Sequence, residues 1–177
     1  PTHRLMNILL LGSGGREAAL AWKISSSPLC DKLFIAPGNG GTGSFGTNID
    51  ASPLDFEAIG RIIAEKAIDM VVVGNEDPLV AGIVDHFKAL DAAKPLFVGP
   101  QKAGAMLEAS TDHAKRFMAR HGIPTAAYRT FTPETIDEGY AFLETLTPPY
   151  VLKADGLAAG KGVIIPETLA EAKATLA

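Results

Sequence analysis

Two glycine-rich stretches of this chain carry residue types suited to holding phosphate. The first is Gly12-Ser13-Gly14-Gly15-Arg16-Glu17. Its glycines allow a tight turn and let an anion come close to backbone amides. A helix opening behind them would add unpaired N–H groups and a positive dipole end. Arg16 adds a planar fork of donors that matches phosphate geometry. The second stretch runs from Asp155 through Gly156, Leu157, Ala158, Ala159, Gly160 and Lys161 to Gly162, with Lys153 just ahead of it. Two lysines and several amides on one turn suit a polyphosphate. Pro37-Gly38-Asn39 and Gly74-Asn75-Glu76-Asp77 are further polar loop segments.

Neither glycine stretch fits a standard nucleotide fingerprint. A dinucleotide loop reads G-x-G-x-x-G, and Glu17 stands at the sixth position, a carboxylate where pyrophosphate needs bare backbone. The acidic ribose ligand expected after the second strand is missing, because Phe34–Ala36 runs into Pro37-Gly38. The second stretch is one residue short of a Walker A loop, and Gly162 stands where Ser or Thr would bind magnesium. Plain alternatives remain for each. A strand, glycine turn and helix also open doubly wound domains that bind no phosphate, and a lysine-bearing hairpin can simply be a solvated surface turn.

Composition narrows the class. The 177 residues are 47% hydrophobic, enough for a core, and carry a net charge of −4, against general affinity for nucleic acid or membrane surfaces. The single cysteine, Cys30, excludes an internal disulfide, suggests a reducing compartment and reads as inert. No apolar run approaches the ~18 residues of a membrane helix. Met6 reads as a natural start, with Pro1–Leu5 set aside as an extension. His86, His113 and His121 lack the carboxylate or cysteine spacing of a metal site and are expected to face solvent; no metal ligand is assigned. Trp22, at helical spacing from Ala18 and Ala19, is expected in the core.

The elements that must position these residues follow from periodicity. Asn7–Leu11 is a strand apolar on both faces, followed by a helix from near Arg16. Lys32–Ala36 is a second strand, and Pro37–Thr47 a long loop at its carboxyl end. Ser52 and Pro53 are expected to open a helix whose Phe56, Ile59 and Ile63 share a face. Met70–Val73 is a third strand, Leu79–Leu90 a helix with both end residues inward, and Leu96–Val98 a fourth strand. That alternation is a doubly wound parallel α/β domain over residues 6–100. The pattern then changes. Lys102–Leu107 is a short helix; Ser110 caps another, Thr111–His121, with Gly122 behind it. Ala126–Phe131 is expected as a strand, Thr132–Thr145 as a helix, and Tyr150–Lys153 and Gly162–Ile165 as a hairpin around the second glycine stretch. Thr168 and Glu171 form a capping box for the last helix. Residues 101–124 thus read as a linker and start of a second core, and 125–177 as an α+β segment.

Taken together, GSGGRE at 12–17, LAWK at 20–23, APGN at 36–39, VVGNEDPLVAG at 72–82 and VLKADGLAAGKGV at 151–163 resemble the phosphoribosylamine–glycine ligase family of ATP-grasp enzymes. The resemblance runs in order from Met6 to the last residue. It implies a pre-ATP-grasp amino-terminal domain followed by part of the ATP-grasp core and its nucleotide lid. It implies ligation of glycine to phosphoribosylamine at the expense of ATP, in purine synthesis, by a cytoplasmic, monomeric enzyme. It assigns Gly12–Glu17, Pro37–Asn39 and Gly74–Asp77 to the phosphoribosyl substrate, and Lys115, Lys153 and Asp155–Gly162 to ATP. Magnesium ligands are expected beyond Ala177, since family members are much longer, and the chain alone is expected to be inactive. Ala18 stands where the family usually has His, and Asn75 and Asp77 replace Pro and Ala of its third loop. Two other readings stay open: a biotin-carboxylase-like enzyme that uses bicarbonate in place of glycine, and a stand-alone nucleotide- or phosphosugar-binding module.

Overall fold

The computed structural model describes residues 4–90, 95–158 and 161–177. The chain forms two compact units that meet in sequence at Ala105 and Met106.

The first unit is built on β1 (Met6–Gly12), which lies at the centre of a parallel five-stranded sheet of order β3-β2-β1-β4-β5. Its neighbours are β2 (Cys30–Pro37) and β4 (Met70–Val73); β5 (Leu96–Val98) and β3 (Thr47–Asn48) form the edges. The apolar run of β1 is explained by burial on both faces. Leu9 and Leu11 pack with Phe34, Ile59, Val71 and Ile83, whereas Ile8 and Leu10 pack with Ala21, Leu33 and Ile35. Fully burying such side chains contributes about 1.5–3 kcal/mol each. The helices α1 (Gly15–Ser25) and α2 (Phe56–Glu65) follow β1 and β3, and α3 (Glu76–Ala81) and α4 (Ile83–Ala89) follow β4. The chain steps from β1 to β2 on one side and later to β4 on the other. The carboxyl ends of β1 and β4 therefore flank a topological switch point, where open α/β sheets bind ligands.

Several sequence expectations need correction here. The helix expected from Ser52 begins at Phe56, with Asp55 as its cap, accepting the Ala58 N–H at 2.9 Å; the Ser52 hydroxyl accepts the Leu54 N–H in a local turn instead. The single helix expected over Leu79–Leu90 is two helices, broken at Gly82 with φ +94°, and Leu90 faces solvent. The short edge strand Thr47–Asn48, paired with Phe34 and Ile35, was not foreseen. Trp22 is 60% exposed, because Ala21 and Ile24 take the inward face of α1 and turn the indole away from the sheet.

The second unit holds the second half of α5 (Lys102–Ala109), then α6 (Thr111–Arg120), α7 (Ile136–Glu144), the antiparallel pair β6 (Leu152–Lys153) and β7 (Val163–Ile164), and α8 (Leu169–Leu176). Ser110 caps α6 and Thr168 with Glu171 caps α8, as the sequence spacing predicts. The strand expected over Ala126–Phe131 does not form. Its residues have strand-like composition, but a strand exists only with a ladder partner, and the Ala126 carbonyl accepts from Lys115 Nζ at 2.8 Å. The core of this unit gathers Leu143, Tyr150 and Ala172. Among the described residues no helix is long and apolar enough to cross a membrane.

Candidate functional site

The parallel register places the ends of β1, β2 and β4 side by side: Gly12 opposite Pro37, and Leu11 opposite Val73. The three polar loops of the first unit thus leave the same edge of the sheet. Ser13, Gly14, Gly15 and Arg16 face solvent at the start of α1. First-turn amides have no partner inside a helix and are free to meet an anion.

Glu17 has the reverse environment. It is 3% exposed, and its carboxylate accepts the Gly14 N–H at 2.6 Å and the Arg16 Nε–H at 3.3 Å. The two loops are shaped around it. A Cβ at Gly12, where φ is +130°, would lie 2.6 Å from Glu17 Cγ, and a Cβ at Gly74 would run into Glu17 Oε1. These two glycines therefore seat a carboxylate of the protein itself. Rather than obstructing an approaching phosphate, Glu17 folds under the loop as the reach-back arm of a capping box.

Asn39 ties the second loop to the first. Its Nδ2 donates to the carbonyls of Ser13 at 2.8 Å and Gly14 at 3.0 Å, while its Oδ1 accepts the amides of Gly41 and Thr42. The Gly38 N–H donates to the Gly12 carbonyl at 3.1 Å. Beneath lies the fully buried Thr42, whose hydroxyl is shared between Asn39 and Asn48 Oδ1, and Asn48 Nδ2 donates to the Asn39 carbonyl. Sequence reasoning missed Thr42 and Asn48. The available signal was the Asn39-x-x-Thr42 spacing of an Asx turn.

The third loop brings carboxylates. Glu76 Oε2 accepts from Arg16 Nη2 at 3.4 Å, so the arginine spans from Glu17 to Glu76. Asn75 Nδ2 lies 3.4 Å from Asp77 Oδ2, and Asn75 Oδ1 is buried with no hydrogen-bond partner among the described residues.

In the second unit, Lys153 and Lys161 are exposed on the β6–β7 turn, and the Lys161 N–H donates to the Ala158 carbonyl at 2.8 Å. Asp155 turns to the start of α6, where it accepts the Ser110 hydroxyl at 3.0 Å and the Asp112 N–H at 3.2 Å. Gly156 has φ +127° and opens the turn; a Cβ at Gly162 would lie 2.8 Å from that of Ala158, so the two sides of the turn come close there. Leu157 is 40% exposed. Ala159 and Gly160 lie outside the described residues. Lys115 Nζ donates to Thr125 Oγ1 at 2.7 Å and to the Ala126 carbonyl, and stands 5.5 Å from the centre of the Tyr128 ring. The Thr130 hydroxyl, with help from Arg116, holds the Asp112 carboxyl below the usual carboxylate range. Burial raises the pKa of the Cys30 thiol, helped by Asp31 beside it, which keeps it protonated. No group of three or more metal-ligating side chains occurs among the described residues.

Residues 6–108 match the family model "Phosphoribosylglycinamide synthetase, N domain", and residues 109–177 match the ATP-grasp (A) domain of the same synthetase. The chain belongs to the phosphoribosylglycinamide synthetase family. The phosphoribosylamine–glycine ligase of Haemophilus influenzae is 49% identical over 170 residues, covering 95% of this chain and 38% of that protein. The crystal structure of phosphoribosylamine–glycine ligase from Thermotoga maritima superposes with a TM-score of 0.69 at 34% identity, over 95% of this chain and 38% of that one. The biotin carboxylase domain of a Hydrogenobacter thermophilus 2-oxoglutarate carboxylase gives 0.67 at 19% identity over 98% of this chain and 40% of that one, a likeness of fold alone. The chain spans about 38% of the length of the first two relatives. The α/β domain and ATP-grasp segment read from the sequence are thus the N domain and part of the A domain of this synthetase family.

Proposed function

We propose that this chain provides the phosphosugar loop and the nucleotide-covering turn of a cytoplasmic enzyme that joins glycine to 5-phosphoribosylamine with ATP, in purine synthesis. The observation that carries this reading is the rigid loop Gly12–Arg16. It presents amides and a guanidinium at the switch point of a domain matching the synthetase N domain. A free carboxylate is a poor electrophile, so glycine must first be activated. A glycine carboxylate oxygen takes the γ-phosphoryl group of ATP, the bond to the β-phosphate oxygen breaks, and ADP leaves. The amine nitrogen of phosphoribosylamine then forms the amide bond, losing a proton as phosphate departs.

The chain's own residues hold the two ends of this chemistry. The 5-phosphate sits against the amides of Ser13 and Gly15 and the Arg16 guanidinium, with Glu17, which takes the Gly14 amide, fixing the loop from below. Pro37–Asn39 and Gly74–Asp77 flank the ribose. Lys115, Lys153 and Lys161 offset the charge of the polyphosphate, with Asp155–Gly162 as its cover. The described residues contain no side-chain cluster for magnesium. The test is ADP release by the enzyme that contains these residues, dependent on both glycine and phosphoribosylamine. Release that needs bicarbonate and ignores glycine would replace this reading with the carboxylase one.

A further inference from the structure

Arg16 is held by two carboxylates of unlike character. Glu17 is its neighbour in the same loop, 3% exposed and locked by the Gly14 amide. Glu76 lies across the switch point on the β4 loop, with its side chain 34% exposed. The two contacts, at 3.3 and 3.4 Å, are longer than the roughly 2.7–2.9 Å of a tight charge-assisted pair. Arg16 itself is 62% exposed. A bridge with these features is weak and exchangeable, with a strength in the range of surface ion pairs.

We infer that Glu76 is an internal stand-in for the substrate phosphate: it occupies the outer edge of the Arg16 guanidinium until an anionic ligand displaces it. The inference rests on the phosphate reading of the Gly12–Arg16 loop. Glu17, buried and tied to the loop, keeps orienting the guanidinium throughout. Glu76, on the facing loop, is the partner that yields. The ligand meets only the fraction of molecules in which the outer edge is open, so its apparent affinity is reduced by that fraction. A phosphate has the charge and the oxygen spacing to take both outer donors, so it wins where a single surface carboxylate holds loosely. The exchange also loosens the β1 loop from the start of α3, where Glu76 is the first residue.

This makes a prediction of unusual sign: removing a polar side chain from the site tightens binding. Ribose 5-phosphate is the probe, titrated by calorimetry into the enzyme that contains these residues. Glu76→Gln should bind it about two- to fivefold more tightly than the unaltered chain, the range set by an exposed ion pair. Asp77→Asn, in the same loop but not on Arg16, should tighten it less, and Glu57→Gln, on α2 and paired with Arg61, should change nothing. In an Arg16→Ala background the Glu76→Gln gain should disappear. If Arg16→Ala weakens the probe while Glu76→Gln leaves it unchanged or weaker, the stand-in role is overturned and the phosphate reading survives. An equal gain from Asp77→Asn, or a gain that persists without Arg16, also overturns it, since the effect is then only the local field. If Arg16→Ala leaves affinity unaltered, or the probe does not bind, both ideas fall together.

Discussion

The two units of this chain each carry a glycine-rich turn suited to phosphate, and they support it differently. In the first, the turn rises from a strand buried on both faces, and Glu17, Asn39, Thr42 and Asn48 cross-link it to its neighbours through hydrogen bonds. In the second, the turn joins strands of two residues each, and Val151, Val163, Ile164 and Ile165 remain about half exposed. The described part of that turn is anchored by Asp155 at the start of α6 and by the Ala158 carbonyl. A rigid turn suits a small anion that must be placed to within fractions of an ångström. An open turn suits a cover that has to admit and release a larger ligand.

The widest test of this contrast is stability. Leu9→Ala in the central strand should cost about 3–5 kcal/mol in urea unfolding, the range for a fully buried leucine. Ile164→Ala on the hairpin should stay within about 0.5 kcal/mol, as an exposed position does. Similar losses at both sites would break the comparison. Next in size is Glu17→Ala. It strips the Gly14 amide of its acceptor and leaves a space beneath the loop, for about 2–3 kcal/mol. Glu17→Gln keeps an acceptor and should lose visibly less. Equal losses from the two would mean that the charge, rather than the hydrogen bond, supports the turn.

Ligand binding sharpens the division further. Arg16→Ala should weaken ribose 5-phosphate about ten- to hundredfold, through loss of a charge-assisted contact, and leave ATP nearly untouched. Lys153→Ala should do the reverse, and less strongly, because the proposed polyphosphate site has Lys115 and Lys161 as further cations. Loss of both ligands from either variant would show that the two turns do not act independently. The smallest effect concerns pH in the second unit. The Asp112 carboxyl titrates below its ordinary range, so the contact with Thr130 adds stability above the ordinary value near 3.9 and loses it as pH falls through the lowered one. A carbon-detected titration should place the Asp112 midpoint below 3.9. Thr130→Val should move it back up, since that hydroxyl is the largest cause; an unmoved midpoint would leave Arg116 as the main support.

The parts of the molecule legible in advance are those with a local cause. Met70–Val73 and Leu96–Val98 form where their apolar runs predict, and Ser110 and Thr168 cap the helices that follow them, because capping is settled within three or four residues. The glycine turn after β1 and the family resemblance were also available, since residue order carries both.

What only the tertiary structure decided is pairing and direction. Ala126–Phe131 has the composition of a strand but no ladder partner among the described residues, and Thr47–Asn48 has little strand character yet pairs with β2. Trp22 shares the spacing of core residues, but the sheet packs on the Ala21 side of the helix. Glu17 shows this most clearly. By sequence it is a carboxylate in the path of a phosphate; in the fold it is the buried post around which Gly12 and Gly74 close. Which way a side chain turns depends on groups brought close from distant positions in the chain, and local propensity contains no information about them.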